Sequence, residues 1–260
     1  MIIDVNAYLG PFAFRHLRNQ AAGDLLRLMD SRGIDRAIVS SSAAITYRNP
    51  QPANTDLASD VRPHLDRFIP FAVINPAYAG WADDLNACLT LGFRGLRLYP
   101  KWHDNELMSD ACLELIDRAT NHGMIISIPI RVEDPRQRTW LVDVPNVPLD
   151  ELATLVAARP QARFHFVNGR GYTGSVLGKP ENGLPENYRI EISLLNVLLN
   201  DEVETLLTTL GLDRLLFGTG MPFQYPDPAL AKIEVLAPDS VLRARLLHQN
   251  AAEWLDSPQP

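Results

Sequence analysis

Short apolar runs alternate with amphipathic segments along almost the whole chain. The runs that predict strands are residues 2–6, 37–39, 68–74, 95–98, 124–130, 163–167, 188–192 and 215–217. Helical spacing of apolar residues occupies residues 21–31, 54–65, 81–91, 110–121, 149–158, 197–210 and 226–255. Glycines such as Gly92 and Gly123 follow several of these predicted helices and favour their ends there. The pattern predicts eight strands that are mostly separated by helices.

Eight strand–helix units in 260 residues are typical of an α/β protein with a (β/α)8 TIM barrel. The alternative is a doubly wound open sheet, which usually carries a glycine-rich phosphate turn after a strand. The nearest candidate for that turn, Gly169-Arg170-Gly171, lacks the third glycine. We therefore predict one TIM-barrel domain over residues 1–256, followed by a frayed tail at residues 257–260.

Composition narrows the classes of function. A net charge of -7 argues against general nucleic-acid binding and suits a cytoplasmic protein. No apolar run is long enough to cross a membrane, and no secretory signal pattern is present at the N-terminus. Cys88 and Cys112 are expected to be reduced, buried thiols in helices. A homo-oligomer is compatible with the sequence, which leaves the oligomeric state open.

The active site of a TIM barrel lies at the C-terminal ends of its strands. Basic residues outnumber acidic ones near these predicted ends. They are Arg97, Lys101, Arg131, Arg136, Arg138 and Arg170, against Asp104, Glu133 and Asp134. This excess indicates a site for a small anion such as a carboxylate or phosphate, which guanidinium groups bind well. The alternative is that several of these residues are solvated loop charges or members of ion pairs.

Four segments resemble the amidohydrolase-related family of metal-dependent TIM-barrel hydrolases and decarboxylases. MIIDVNAYLG (1–10) is similar to the family's IDxHxHxG start, and DSRGIDRAIV (30–39) to its passage into the second strand. GFRGLRLYP (92–100) is similar to its GFxGxxxxP segment, and RLLFGTGMPF (214–223) to its RxxFGTDxPF segment. The resemblance covers nearly the whole chain and implies a TIM barrel with a site at its strand ends.

The metal ligands that the resemblance implies are replaced in this chain. Asn6 and Tyr8 stand at the positions of the two first-strand histidines. Pro129 and Asn168 correspond to the fifth- and sixth-strand histidines, and Gly220 corresponds to the eighth-strand aspartate. Zinc and its relatives require imidazole, thiolate or carboxylate donors. We therefore expect no metal and no other cofactor.

Three residues are candidates for catalysis: Glu133, Tyr99 and Arg97. Strand alternation places Arg97 and Tyr99 on one face with Gly95, whose small size is expected to leave room inside the barrel. Glu133 is a candidate general acid or base if burial raises its pKa. The alternatives for the working carboxylate are Asp134 and Glu191, and the alternative for the loop around Glu133 is a structural ion pair with Arg136.

Further residues are candidates for binding the substrate. They are Asn6, Tyr8, Lys101, His103, Arg131, Asn168 and Arg170. Glu191, if it points inward, is either a site carboxylate or the partner of a barrel arginine such as Arg97. Tyr8 either donates a hydrogen bond to a ligand or fills the space that the metal would take. Alternation predicts that His165 faces opposite to Asn168, as a core or helix-facing residue.

Aromatic residues and a glycine-rich segment are predicted near the same end. The aromatic residues are Phe12, Phe14, Trp102, Trp140, Tyr172, Phe223 and Tyr225, which suit a pocket wall or simple loop packing. Residues 171–185 are rich in glycine and proline, which favours either a mobile loop over the site or an ordinary surface loop.

Two functions fit the sequence. The first is a metal-independent hydrolase or lyase that acts on a small anionic, carboxylate-bearing compound. The second is a non-catalytic descendant that binds a small acid or serves as an interaction scaffold. The fold alone does not choose between them.

Overall fold

Eight parallel strands form the centre of the protein. The structure is a computed structural model that describes residues 1–179, 181, 183–197, 201–236 and 239–256; the predicted tail at 257–260 lies outside these ranges. The strands are β1 (Ile3–Leu9), β2 (Arg36–Ser41), β3 (Phe68–Val73), β4 (Gly95–Arg97), β5 (Ile125–Pro129), β6 (Arg163–Val167), β7 (Tyr188–Glu191) and β8 (Leu215–Leu216). Each strand pairs in parallel with the next along the chain, in the order β1 to β8.

Backbone hydrogen bonds between the first strand and the segment after the last bring the two sheet edges together. The Val5 amide donates to the Phe217 carbonyl at 3.0 Å, and the Tyr8 amide donates to the Met221 carbonyl at 2.9 Å. The Gly220 amide donates in the other direction, to the Asn6 carbonyl at 2.8 Å. The predicted (β/α)8 TIM barrel is confirmed.

Helices follow most strands and cover the outside of the barrel. They are α1 (Ala22–Ser31), α2 (Gln51–Val61), α3 (Trp81–Thr90), α4 (Asp110–Asn121), α5 (Leu149–Ala158), α6 (Glu202–Leu210), α7 (Asp227–Leu236), α8 (Ser240–Ala244) and α9 (Asn250–Asp256). Short 3-10 turns at Tyr172–Gly174 and Val176–Gly178 follow β6. None of the described helices is long and apolar enough to cross a membrane. Cys88 and Cys112 are buried free thiols in α3 and α4, as predicted.

The second helix begins earlier than the sequence pattern predicts. We expected it to start near residue 54, but α2 begins at Gln51 and places Asn54 in its first turn. The Asn54 side chain accepts a hydrogen bond from the Val73 amide at 2.9 Å and donates to the Val73 carbonyl at 2.7 Å. Asn54 therefore binds the backbone at the end of β3 from the first turn of α2.

The N-terminal end of the barrel is filled with apolar side chains. Its cluster comprises Ile3, Val5, Ile38, Ile69, Phe71, Ile125 and Leu216, with Ala251 and Trp254 of α9 packed beneath. A Cβ atom added at Gly95 would lie 2.4 Å from the Phe71 ring. The expectation that Gly95 leaves room in the barrel is therefore wrong, because Phe71 takes that space.

A buried carboxyl group joins β1 to the end of β8. Asp4 is fully buried, and its Oδ1 accepts hydrogen bonds from the amides of Asn6 (2.8 Å) and Thr219 (3.0 Å). The Thr219 hydroxyl bonds to Asp4 Oδ2. Burial raises the pKa of Asp4 to about 7, against the opposing effect of these hydrogen bonds. The folded chain therefore binds a proton at Asp4 that the unfolded chain releases at lower pH.

Asp4 is expected to make the stability of the fold depend on pH. Its contribution is fully present below the unfolded-state pKa of 3.8 and is lost as the pH rises through about 7. In Asp4→Asn the amide oxygen can accept from both backbone donors, so the variant should fold and lack this dependence. Urea titrations give the free energy of unfolding of each protein. The value for Asp4→Asn minus the value for wild type should increase by on the order of a few kcal/mol between pH 4 and 7. Parallel curves for the two proteins would contradict this assignment.

Candidate functional site

Arg97 lies inside the barrel and is completely buried. Its guanidinium donates to the hydroxyls of Ser40 (3.0 Å) and Ser127 (3.3 Å) and to the carbonyls of Ala7 and Val5, at 3.3 and 3.4 Å. It also lies 5.0 Å from the centre of the Tyr8 ring, a cation–π distance. One of our interpretations paired Arg97 with Glu191, and that pair is not formed. No ion pair to Arg97 occurs in the described part of the chain.

His165 shares the layer of Arg97. Arg97, Ser127 and His165 are paired positions on β4, β5 and β6, and His165 is fully buried. Burial, with a smaller effect of the Arg97 charge, lowers the pKa of His165 to about 3, so the imidazole is neutral. The prediction that His165 faces away from Asn168 is wrong. Asn168 has a left-handed backbone with φ of 55°, which breaks the strand alternation and turns its side chain inward as well.

A network of amide and carboxyl groups occupies the ends of β1, β6 and β7. The side-chain nitrogen of Asn6, Nδ2, donates to Asn168 Oδ1 at 2.8 Å and lies 3.5 Å from Glu191 Oε2. The Asn168 side chain donates to the Tyr8 hydroxyl and to the Arg131 carbonyl, both at 3.1 Å. Its backbone amide donates to Glu191 Oε2 at 3.1 Å. These residues therefore bind one another across the barrel.

Glu191 is held as a structural carboxyl group within this network. It accepts hydrogen bonds from the amide and the hydroxyl of Ser193 in addition to the Asn168 amide. Burial raises its pKa, and these hydrogen bonds oppose the shift. Glu191 is fully buried and does not line the cleft described below, so it has no route to a ligand there.

The strand ends do not fit a metal of the family type. Asn6 and Asn168 use their side chains on each other, and Tyr8 is a buried phenol whose pKa is raised by burial. A Cβ atom at Gly220 would lie 3.0 Å from the Gln224 amide nitrogen and 3.4 Å from Asn168 Oδ1, so these groups occupy the position of the eighth-strand aspartate. The described residues contain no group of three histidine, cysteine or acidic side chains that could hold a metal ion.

An aromatic cluster covers the axis of the barrel at this end. Phe12 packs edge-on against Phe223 at 4.9 Å between ring centres and against Trp102 at 6.0 Å, and Tyr8 packs against Phe223 at 5.0 Å. Tyr99 joins the same cluster. Three other predicted aromatic residues are outside this cluster. Trp140 and Tyr225 are 90% and 73% exposed, and Tyr172 packs in the main hydrophobic core. The cluster separates the Arg97 layer from solvent.

A cleft opens beside the axis, between the loop after β4 and the loop after β5. It contains about 540 Å³ of empty space, part of which is open solvent. Its polar lining comprises Tyr99, Lys101, Arg131, Glu133, Arg138, Thr139 and Asn146, and its apolar lining includes Pro100, Trp102, Ile130, Val132, Val142, Val144 and Val147. Of the three predicted catalytic residues, Tyr99 and Glu133 therefore reach this cleft and Arg97 does not.

Most cations of the cleft have acidic partners. Lys101 binds Glu151 at 2.9 Å, and Arg138 binds Asp143 at 2.6 Å. Arg131 differs, because its Nη2 atom is buried and has no hydrogen-bond partner in the described part of the chain. Burial and the neighbouring Arg170 lower the pKa of Arg131. Arg131 is therefore the cleft's best candidate for contact with an anion.

Glu133 is the carboxyl group of the cleft. Its side chain is 5% exposed, and its Oε1 lies 3.3 Å from Arg15 Nε, an ion pair whose geometry is not that of a hydrogen bond. Burial raises its pKa, and the Arg15 charge opposes this. The loop does contain an ion pair with Arg136, as one interpretation had it, but Glu133 is not its partner. Arg136 binds Asp134 instead, which holds the pKa of Asp134 below its usual range.

The remaining predicted binding residues are not in the cleft. His103 is buried, its Nε2 lies 3.1 Å from the Ala44 carbonyl, and burial lowers its pKa. Arg170 is exposed after β6. Asn6, Tyr8 and Asn168 belong to the network that joins the strand ends. Of the predicted binding set, Lys101 and Arg131 line the cleft.

Structure comparison finds barrels of the same architecture. A 2,6-dihydroxybenzoate decarboxylase complexed with 2,6-dihydroxybenzoate is 18% identical, with a TM-score of 0.72 and 98% of each chain covered. The 5-carboxyvanillate decarboxylase of Sphingomonas paucimobilis is 15% identical, with a TM-score of 0.69 and 98% of each chain covered. An amidohydrolase II protein is 13% identical, with a TM-score of 0.71, and covers 98% of this chain and 99% of its own.

The chain has the fold of the amidohydrolase-related TIM barrels. The predicted resemblance is thus confirmed for the fold. No protein-family model and no curated protein sequence matches the chain.

Two residues of structural importance at this end were missed by sequence reasoning. Arg15 belongs to an irregular loop, and nothing in its local pattern indicates the distant partner Glu133. Asp4 interrupts the apolar run of β1, and an acidic residue in a predicted buried strand is a signal that it needs hydrogen-bond donors. That signal was available from the sequence.

The network at the strand ends should carry measurable stability. Asn168→Gly keeps the left-handed backbone accessible and removes three side-chain hydrogen bonds, so its free energy of unfolding should fall by about 2–4 kcal/mol. Asn168→Ala loses the same bonds and adds the cost of a positive φ, about 1 kcal/mol more. Denaturant unfolding of both variants tests this. Wild-type stability in Asn168→Gly would show that the network does not hold the strand ends together.

Proposed function

We propose that the protein binds a small carboxylate in the cleft between the β4 and β5 loops and converts it by metal-independent hydrolase or lyase chemistry. The observation that carries the proposal is that Arg131, whose Nη2 has no hydrogen-bond partner among the described residues, and Glu133, whose side chain is buried, line the same cleft. The two residues are two positions apart on the chain. A ligand anchored by the first would lie within reach of the second.

Charge and lining support a carboxylate with an apolar body. Arg131 supplies a guanidinium that can donate to a carboxylate, while its cationic neighbours Lys101 and Arg138 already have acidic partners. The apolar walls suit the hydrocarbon part of such a compound. Two of the similar barrels are by name decarboxylases of aromatic acids, which agrees with this class of ligand.

Glu133 is the proposed acid–base group. Because burial raises its pKa, the group exchanges its proton closer to neutral pH than an exposed glutamate does. Tyr99 lines the same cleft, and burial raises its pKa, so it acts as a neutral hydrogen-bond donor. Arg97 supports Tyr99 from below, since both contact Ser40. Its proposed role is thus indirect.

Metal independence rests on the chemistry of the strand ends. The Asn6 side-chain nitrogen donates to Asn168 Oδ1, and Pro129 and Gly220 offer no donor side chain. The proposed reaction therefore relies on Arg131, Glu133 and Tyr99. A non-catalytic carboxylate-binding protein is the second candidate, and the aromatic cover over the barrel axis favours it, because it closes the position where related barrels are expected to have their site.

Carboxylate binding should depend on Arg131 and not on a comparable surface arginine. Arg131→Ala should weaken the binding of benzoate or 2,6-dihydroxybenzoate by about 10- to 100-fold, the equivalent of one charge-assisted contact. Arg136→Ala is the matched control, because Arg136 is exposed, bound to Asp134 and outside the cleft. Calorimetric titration measures both. Equal losses in the two variants would refute the anchor.

Turnover separates the enzyme from the binding protein. Any carboxylate that binds the wild type should be incubated with it and followed by mass spectrometry. Under the enzyme proposal the product forms with wild type and is lost with Glu133→Gln, while binding persists. Binding without product in either protein would favour the non-catalytic alternative.

Removal of metal ions should change nothing. Because Asn6, Tyr8, Pro129, Asn168 and Gly220 stand where the resemblance implies metal ligands, elemental analysis should find no stoichiometric transition metal in purified protein. Chelator treatment should leave both the melting temperature and carboxylate affinity unchanged. One tightly held zinc or manganese ion per chain would refute metal independence.

A further inference from the structure

Arg15, in the loop between β1 and α1, contacts two other loops at the C-terminal end of the barrel. Its Nη1 donates to the Gln137 side chain at 3.1 Å, in the loop after β5. Its Nη2 donates to the Phe223 carbonyl at 3.2 Å, in the segment after β8, and the guanidinium lies 5.6 Å from the Phe223 ring centre. Its Nε faces Glu133 at 3.3 Å. Arg15 itself does not line the cleft.

We propose that Arg15 is a positioning residue, which holds the Glu133 carboxyl group at the wall of the cleft and sets the pH at which that group exchanges its proton. This proposal rests on the proposed function for its catalytic meaning. Its physical content, the control of Glu133 by Arg15, can be measured in the absence of any substrate.

Hydrogen bonds to other residues fix the position of the Arg15 guanidinium charge. Gln137 and Phe223 take two of its three nitrogen atoms, so the guanidinium is anchored independently of Glu133. Its Nε is buried and makes no hydrogen bond, although Glu133 Oε1 is within ion-pair distance. The interaction with Glu133 is therefore mainly electrostatic. The side chain of Arg15 is 28% exposed, so solvent weakens this attraction only in part.

Other charged groups near Glu133 are mostly neutralised by partners of their own. The charged and titratable groups around this part of the cleft are Tyr99 and Lys101 after β4, Glu151 on α5, and Arg131, Arg138 and Asp143 on the loop after β5, with the Asp134–Arg136 pair outside the cleft lining. Lys101, Arg136 and Arg138 bind Glu151, Asp134 and Asp143. Arg15 is the basic residue in ion-pair contact with Glu133 within the described part of the chain.

Two opposing effects therefore meet at Glu133. Burial favours the protonated carboxyl group, and the Arg15 charge favours the ionised one. Loss of Arg15 leaves the burial effect unopposed. The pH midpoint of Glu133 should then move upward, which a residue with a merely structural role would not cause.

The test follows the Glu133 carboxyl carbon by NMR in the full chain labelled with 13C at the glutamate side-chain carboxyl. Glu133→Gln identifies the signal by its loss. Arg15→Gln should shift the titration midpoint to higher pH, and Arg15→Lys should restore it in large part. Gln137→Ala is the matched control, because it removes one anchor of Arg15 and leaves the charge beside Glu133, so its midpoint should stay near that of wild type.

Equal midpoints in wild type and Arg15→Gln would overturn the proposal. If Arg15→Gln does not fold, Arg15→Met, which also removes the charge, is titrated in its place, and an unchanged midpoint there would again refute the proposal. If turnover is found, its pH profile should shift in the same direction in Arg15→Gln. Absence of turnover with a shifted midpoint would refute the enzyme proposal alone and leave the control of Glu133 by Arg15 established.

Discussion

The mutual hydrogen bonding of Asn6, Asn168 and Glu191 is the constraint on which the C-terminal end of this barrel depends. Parallel strands end with polar backbone and side-chain groups directed at one small space, and buried polar groups require partners. In this chain the Asn6 side chain donates to Asn168 Oδ1 at 2.8 Å, and the Asn168 backbone amide donates to Glu191 Oε2 at 3.1 Å. These hydrogen bonds join the ends of β1, β6 and β7.

This arrangement moves the accessible chemistry away from the barrel axis. The Arg97 layer lies beneath Tyr8, and Phe12, Trp102 and Phe223 pack above it. The open space lies to one side, between the loops after β4 and β5, where Arg131 and Glu133 are found. Arg15 connects the aromatic cover to the wall of that cleft, because it contacts both Phe223 and Glu133. The closed axis and the lateral cleft are thus parts of one arrangement.

Several ionisable side chains inside the barrel are also stabilised by hydrogen bonds with nearby groups. Arg97 is stabilised by hydroxyl and carbonyl oxygens and by the face of Tyr8, and not by a carboxylate. Asp4 and Glu191 are held by backbone and hydroxyl donors, with burial raising the pKa of each. Such groups depend on distances set by the strand register, so substitutions in β1, β4 or β7 are expected to act on several of them together.

The sequence by itself determined the barrel, because apolar runs and helical spacing are local consequences of burial on one or two faces. It also determined which residues stand at the first-strand positions, Asn6 and Tyr8, since this depends only on residue identity. The tertiary structure decided which polar groups meet. Glu133 faces Arg15, which lies 118 positions earlier in the chain, and Asn168 turns inward because a single left-handed residue breaks strand alternation. Contacts of this kind depend on loop paths and backbone exceptions, which a periodic pattern of hydrophobic residues does not encode.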